Sequence, residues 1–203
     1  MKNEVKSLGV GIFTLQETHY KKKGHFVLQD WEIFESIRKK EFGGTMVGIH
    51  KGLQPILIEE FCGDFELLIV EITISAKKVQ IMSGYGPQEC WPLEKRLPFF
   101  EALESSITKA VLAGKSVLIS LDAKSKLGPS WIPKDIHAQS PNGKIMAGIL
   151  DRYALIVANG LEGKSQGIIT RHRTTVDIIE KSTIDFVILS SDLAVLKYSL
   201  CNN

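Results

Sequence analysis

At 203 residues the chain can bury a core of its own, and 44% hydrophobic, 24% charged and 8% aromatic residues are ordinary proportions for one globular domain. With 25 basic and 23 acidic residues the net charge is +2, so bulk charge selects no polyanionic partner and a nucleic acid would have to be met by a local patch. Cys62, Cys90 and Cys201 form no CxxC pair, which argues against a disulfide framework and against a cysteine-built zinc site. The apolar run at 8–15 is too short for a signal peptide or a membrane span. The expectation is an intracellular protein, nuclear or cytoplasmic, neither secreted nor membrane-bound.

Strand signals fill the first half. LGVGIFTL, a stretch near Trp31 to Glu35 in HFVLQDWEIFES, GTMVGIH, PILIEE, FELLIVEITI and VQIMSGY are short, β-branched-rich runs separated by Gly, Asp, Lys or Pro clusters. FELLIVEITI is apolar on both faces and predicts an interior strand. A helix is predicted over 93–113, opened near Pro92 or Pro98 and closed by Gly114. SVLISLD then reads as a buried strand with Asp122 at its exit. The irregular stretch 124–144 is too long for a plain connector and is a candidate functional loop. A second helix is expected over roughly 143–153, with Ser140 as N-cap and Pro141 at its first position. Strands ALIVANG, QGIITRH and STIDFVILS complete an order that predicts packed sheets with helices outside, in a single domain over 1–203.

Three carboxylates stand at strand ends: Glu17 after IFTLQ, Asp122 after VLISL, and Asp185 before FVILS. Each alone could be a polar strand terminus. Together on one rim they would be costly unless paired or holding a cation, and an all-oxygen set suits Mg²⁺ or Mn²⁺.

These residues also carry a resemblance. LQETHY resembles the LQE(T/S) motif of the endonuclease/exonuclease/phosphatase superfamily, SGYGPQE its N-x-Y-x-P segment, ISLDAKSKLG its D-x-N segment, and TIDFVILS its closing I-D-(Y/F) segment. All four stand in family order across nearly the whole chain. GYGPQE, DAxSKLG, IPxDxHxxSxNGK and GIITRxRTT most resemble the endonuclease domains of non-LTR retrotransposons. The resemblance implies a four-layered α/β sandwich of the DNase I type, two packed mixed sheets flanked by helices. It implies metal-dependent nicking of DNA, with Mg²⁺ (or Mn²⁺) on Glu17, Tyr85 donating to the scissile phosphate, Asp122 activating water and Asp185 fixing a catalytic histidine. A reverse transcriptase domain would be the partner in the parent polyprotein.

For DNA contact the candidates are Asn142 at the rim, Arg171 and Arg173 beside Thr170 in an expected hairpin, and Lys124 as a point charge toward phosphate. Each has a plainer reading: a turn residue for Asn142 and solvated surface for the arginines and for Lys21–Lys23. Asn159 reads as a strand cap. Asp135 and His137 lack the companions a zinc site needs, and His19 is expected to point away from Glu17 by strand alternation.

Three features depart from the family pattern. No strand ending in Asn stands 25 to 40 residues before Gln16, Ser191-Asp192 is followed by Leu193 instead of His, and Lys124 replaces the Asn of D-x-N. The expectation is therefore a domain lacking its terminal strands, and an endonuclease crippled by the missing histidine. The alternatives are a catalytically dead nucleic-acid-binding or interaction module, or a superfamily phosphatase acting on a small phosphoester.

Overall fold

The computed structural model describes residues 11–24, 26–37, 43–63, 65–133, 135–159, 161, 170–174 and 179–193, with only the backbone for 171–174 and 179–182. Three strands, β1 (Ile12–Gln16), β2 (Trp31–Ser36) and β3 (Thr45–His50), form a small antiparallel sheet in the order β1-β3-β2. A larger sheet has the order β4-β5-β6-β7-β11-β8. Its strands are β4 (Ile56–Cys62), β5 (Glu66–Ile74), β6 (Lys77–Tyr85), β7 (Ser116–Asp122), β8 (Leu155–Val157) and β11 (Asp185–Ser190). Only β6 and β7 run parallel, and the crossover between them carries helix α1 (Leu93–Leu112). The sheet is therefore mixed. Strands β9 (Arg171–Thr174) and β10 (Ile179–Ser182) pair antiparallel as a separate ribbon, where the sequence predicts a hairpin.

Period-two alternation sorts the apolar residues into layers. Leu67, Ile69, Met82, Val117, Ile119, Leu121, Phe186 and Ile188 pack under α1 and under helix α2 (Pro141–Arg152). On the opposite face Leu68, Val70, Ile72, Val79 and Ile81 meet Val47 and Ile49 of the small sheet. That sheet's outer face is covered by Phe26, Leu28 and Tyr20 around Trp31 and Met46. Two packed sheets with helices outside are thus what the apolar pattern predicts. Both described helices lie on the large sheet, and among the described residues a loop covers the small one. None of those helices is long and apolar enough to cross a membrane.

The caps match their sequence signals. Ser140 Oγ accepts from Gly143 N at 3.3 Å, with Pro141 opening α2. α1 begins after Pro92, takes Pro98 into its second turn, and closes through Gly114 at φ +67°. There Lys115 N bonds Ala110 O and Gly114 N bonds Val111 O, the paired bonds of a Schellman motif.

Candidate active site

Register alone sets three side chains side by side. Tyr85 is the parallel partner of Asp122, and Asp122 is the antiparallel partner of Asp185. Neighbouring strands lie about 4.8 Å apart, so these groups share one rim of the large sheet. Glu17 comes from the other sheet, one residue beyond β1. Its approach is fixed by polar contacts between the sheets: Thr14 Oγ1 donates to Ser120 Oγ at 2.7 Å, and Gln16 Nε2 to Ser83 Oγ at 3.0 Å. Thr45 Oγ1 and Ser83 Oγ are 2.8 Å apart. Pairs of this kind satisfy polar groups that the sandwich would otherwise strand without water.

At the rim Tyr85 Oη donates to Glu17 Oε1 at 2.6 Å. The Lys124 ammonium lies 2.5 Å from Asp122 Oδ2 and 3.1 Å from Glu17 Oε1, and 4.8 Å from the centre of the Tyr85 ring. Lys124 is thus turned inward among carboxylates, with 16% of its side chain exposed. Asp122 is buried, Glu17 is half open, and Asp185 is partly buried.

These surroundings shift every group. Burial pushes the Asp122 carboxyl up to about 6, helped by Asp185, against the pull of Lys124. Burial also raises Asp185, opposed by the Thr170 hydroxyl and Lys124. For Glu17 burial works upward, but the Tyr85 hydroxyl and the ammonium outweigh it and hold the carboxyl below its ordinary value. Burial and the bond to Glu17 push the Tyr85 phenol up to about 12, so it stays a donor at neutral pH. Burial pulls Lys124 down, yet Asp122, Tyr85 and Glu17 prevail and keep it firmly protonated.

Four side chains that the sequence marked are brought together, with Lys124 between them. Asn142 is not among them. It is fully buried, donates Nδ2 to Pro87 O at 2.9 Å, and accepts from Arg96 Nη1 at 2.5 Å, bracing α2 against the 87–89 turn. The arginines stand on β9, with side chains outside the described residues. Of the Lys21–Lys23 run, Lys23 pairs with Glu60 at 2.7 Å. Asp135 Oδ1 lies 2.9 Å from His137 Nδ1, and no group of three or more His, Cys, Asp or Glu among the described residues could hold a metal ion. Cys62 and Cys90 are free and exposed; Cys201 lies outside the described residues.

Two expectations need correction. His19 was expected to face away from Glu17, but residues two apart share a face even in a strand; moreover β1 ends at Gln16, and Glu17 and His19 follow it in left-handed backbone at φ +54° and +55°. Strand alternation no longer applies there, and His19 is near enough to help hold the Glu17 carboxyl down. Ser191-Asp192, compared above with a closing Ser-Asp-His, lies at the wrong end of β11. Asp192 bonds Lys77 and Ser116, at the starts of β6 and β7, a strand's length from Asp185.

No family model matches the sequence, and comparison with curated proteins finds no match either. Shape does match. The endonuclease domain of TRAS1, a telomere-specific non-LTR retrotransposon, superposes with a TM-score of 0.68 at 17% identity, over 94% of this chain and 78% of that one. The Xenopus laevis APE2 catalytic domain gives 0.72 at 13% identity over 96% and 78%. The 3'-5' exonuclease NExo of Neisseria meningitidis gives 0.68 at 15% over 96% and 82%. The chain shares the fold of these three structures, as the resemblance read from the sequence implies.

The resemblance read from the sequence implies a divalent cation at this rim. The donor chemistry of Glu17, Asp122 and Asp185 suits Mg²⁺. The arrangement does not, because Lys124 already bridges Glu17 and Asp122. A divalent ion about 4 Å from that ammonium would meet repulsion of roughly 8 kcal/mol at an effective dielectric of about 20. As built, the site offers a near-neutral carboxyl on Asp122 for proton exchange, a protonated phenol and a fixed ammonium.

Sequence reasoning passed over the residues that hold this rim. Asn159, read as a cap, clamps β11 at both sides of Phe186: Nδ2 donates to Asp185 O at 2.9 Å and Oδ1 accepts from Val187 N at 3.0 Å. Thr170 Oγ1 accepts from Ile184 N at 3.0 Å and Asp185 N at 3.1 Å. Gly86 brings the turn after Tyr85 onto the Asp122 end of β7, its N–H bonding Asp122 O at 2.7 Å. A Cβ there would fall 2.7 Å from Ala123 O, so only glycine fits. Polar residues inside otherwise apolar strands, such as Thr14, Ser83 and Ser120, were the available signal.

Proposed function

We propose that this chain is a DNA-processing module of the retrotransposon-endonuclease type, whose phosphodiester site is the rim formed by Glu17, Tyr85, Asp122 and Asp185. The observation that carries the reading is convergence. Residues from four ordered motifs, spread from position 17 to 185, meet at one end of one sandwich. The similarity of shape to the TRAS1 endonuclease domain and to the NExo exonuclease supports it. The β9–β10 ribbon, with Arg171 and Arg173, would run beside the DNA backbone. A reverse transcriptase domain in the same polyprotein and an intracellular, nuclear or cytoplasmic setting belong to the proposal. The test is nicking of supercoiled plasmid with Mg²⁺ or Mn²⁺ by the wild-type chain and by Lys124→Asn, each with and without Asp122→Ala. Nicking that disappears in Asp122→Ala supports the reading; nicking that persists undiminished sinks it.

A second reading is a catalytically silent DNA-binding module. The lysine bridging Glu17 and Asp122 favours it, because Lys124 covers the carboxylate that would activate water. DNA retention without nicking in the same assay selects this reading.

A further inference from the structure

We propose that Lys124 is a tethered counter-cation that takes the place of a divalent ion, so that this chain does not bind Mg²⁺ or Mn²⁺ at its carboxylate rim until the lysine is removed. The inference rests on the proposed site only for its location, and does not require that the chain cut DNA.

The geometry carries it. An ammonium is a compact point charge with three donors, and here it bonds one oxygen of Asp122 and one of Glu17 at 2.5 and 3.1 Å. It reaches carboxylates from both sheets, as a bridging cation would, and rests over the Tyr85 ring at 4.8 Å. The Glu17 oxygen it contacts also accepts from Tyr85 Oη, so that oxygen is committed twice. Asp122 Oδ1 faces the Lys124 backbone N–H at 3.4 Å, so one residue's main chain and side chain address both oxygens of that carboxylate.

The backbone adds an independent observation. Lys124 sits at φ +46°, in the left-handed region that glycine and asparagine enter most readily. A lysine pays strain there that an asparagine would pay less of, and the ion pairs offset it. A lysine side chain only 16% exposed in a left-handed turn is held in place by what it binds. The same turn makes Lys124→Asn the substitution that disturbs the backbone least.

The experiment measures cation binding directly. Free Mn²⁺ is followed by electron paramagnetic resonance, and Mg²⁺ by calorimetry, for the wild-type chain, Lys124→Asn, Lys124→Met, Lys124→Arg, and Lys124→Asn combined with Glu17→Gln. Folding of each is checked by circular dichroism. Lys124→Asn and Lys124→Met should bind Mn²⁺ at least about tenfold more tightly than wild type. Lys124→Arg should stay weak, because the charge remains, and Glu17→Gln should erase the gain. If Lys124→Met unfolds without metal, recovery of its melting transition on adding Mn²⁺ is the supporting readout. Wild type binding as tightly as Lys124→Asn would overturn the proposal, and so would the absence of any gain in both neutral variants. A plasmid assay on the same samples tests the endonuclease reading separately. Lys124→Asn that binds Mn²⁺ but leaves DNA intact counts against that reading and leaves this one standing.

Discussion

Asp122 and Asp185 stand directly opposite each other across β7 and β11, two carboxylates joined in register at the same sheet rim. Burial first, and then the neighbouring Asp185, raise the affinity of Asp122 for protons, while burial and Glu17 raise that of Asp185. Lys124 is the group that lets both strands end this way, as its ammonium meets Asp122 and is near enough to Asp185 to draw its carboxyl down. The chemistry of the rim is therefore set by one residue that is neither carboxylate nor aromatic.

Asp122→Asn should change how stability depends on pH. The folded carboxyl is raised to about 6 from an ordinary 3.8, so between these values the folded state holds more protons than the unfolded one. By linkage, Asp122 therefore favours folding at low pH and loses that contribution as pH climbs from about 4 through 6. Replacing it with asparagine removes this falling arm. Relative to wild type, the variant should gain on the order of 1–3 kcal/mol between pH 4 and pH 7. Urea unfolding at several pH values measures it, and parallel curves would show that Asp122 does not titrate in this range.

Lys124→Met should be costly at pH 7 and much less so at pH 5. Removing the cation leaves Glu17, Asp122 and Asp185 facing one another without a counter-charge, a loss of roughly 2–4 kcal/mol when all are ionised. Protonation relieves that repulsion, so the difference from wild type should shrink as pH falls. A pH-independent loss would assign Lys124 a packing role only.

Thr170→Val tests how Asp185 is held. The hydroxyl accepts from two backbone N–H groups, Ile184 and Asp185, and supports the Asp185 carboxyl. Valine keeps the volume and leaves those groups unpaired, at a cost of about 1–3 kcal/mol. The Asp185 carboxyl should also move further upward, which carbon-13 titration of the side-chain carboxyl would follow. An unmoved carboxyl would confine Thr170 to the backbone.

Much of this arrangement was legible in the sequence because it rests on local chemistry. β-branched runs specified β5, β6 and β7; Ser140 and Pro141 specified the start of α2; and polar groups at strand ends specified Glu17, Asp122 and Asp185. What was not legible depends on direction and distance. Glu17 and His19 are two apart, so alternation would have put them on one face, and both lie in left-handed backbone past the end of β1, where a strand reading gives no direction. Lys124 reads as a point charge toward phosphate until the turn that bends it onto Glu17 and Asp122 is seen, and Asn142 reads as a rim residue until Arg96 and Pro87 are found against it. Pairing across 106 residues, as between Thr14 and Ser120, leaves only the trace of a polar residue in an apolar strand.

Asn142 and Arg173 separate a brace from a phosphate contact. The Asn142 side chain is fully buried and makes two hydrogen bonds, one to Pro87 O and one from Arg96. Arg96 Nε is itself buried without a partner, so Asn142 is a principal anchor of that guanidinium. Asn142→Ala should therefore strand the Arg96 group and the Pro87 carbonyl, costing about 2–4 kcal/mol in thermal or urea unfolding. Once the folded fraction is corrected for, DNA affinity should keep its dependence on salt, because no phosphate contact has been removed. Arg173 stands on the β9–β10 ribbon. Arg173→Ala should leave stability within about 0.5 kcal/mol, as the sequence reading of a solvated hairpin predicts. It should weaken DNA binding evenly across sequences and lower the slope of log affinity against log salt by about 1. Fluorescence anisotropy at several salt concentrations distinguishes the two. Asn142→Ala with unchanged stability and a reduced salt slope would move that residue from the fold to the DNA interface, and Arg173→Ala with an unchanged slope would remove the ribbon from it.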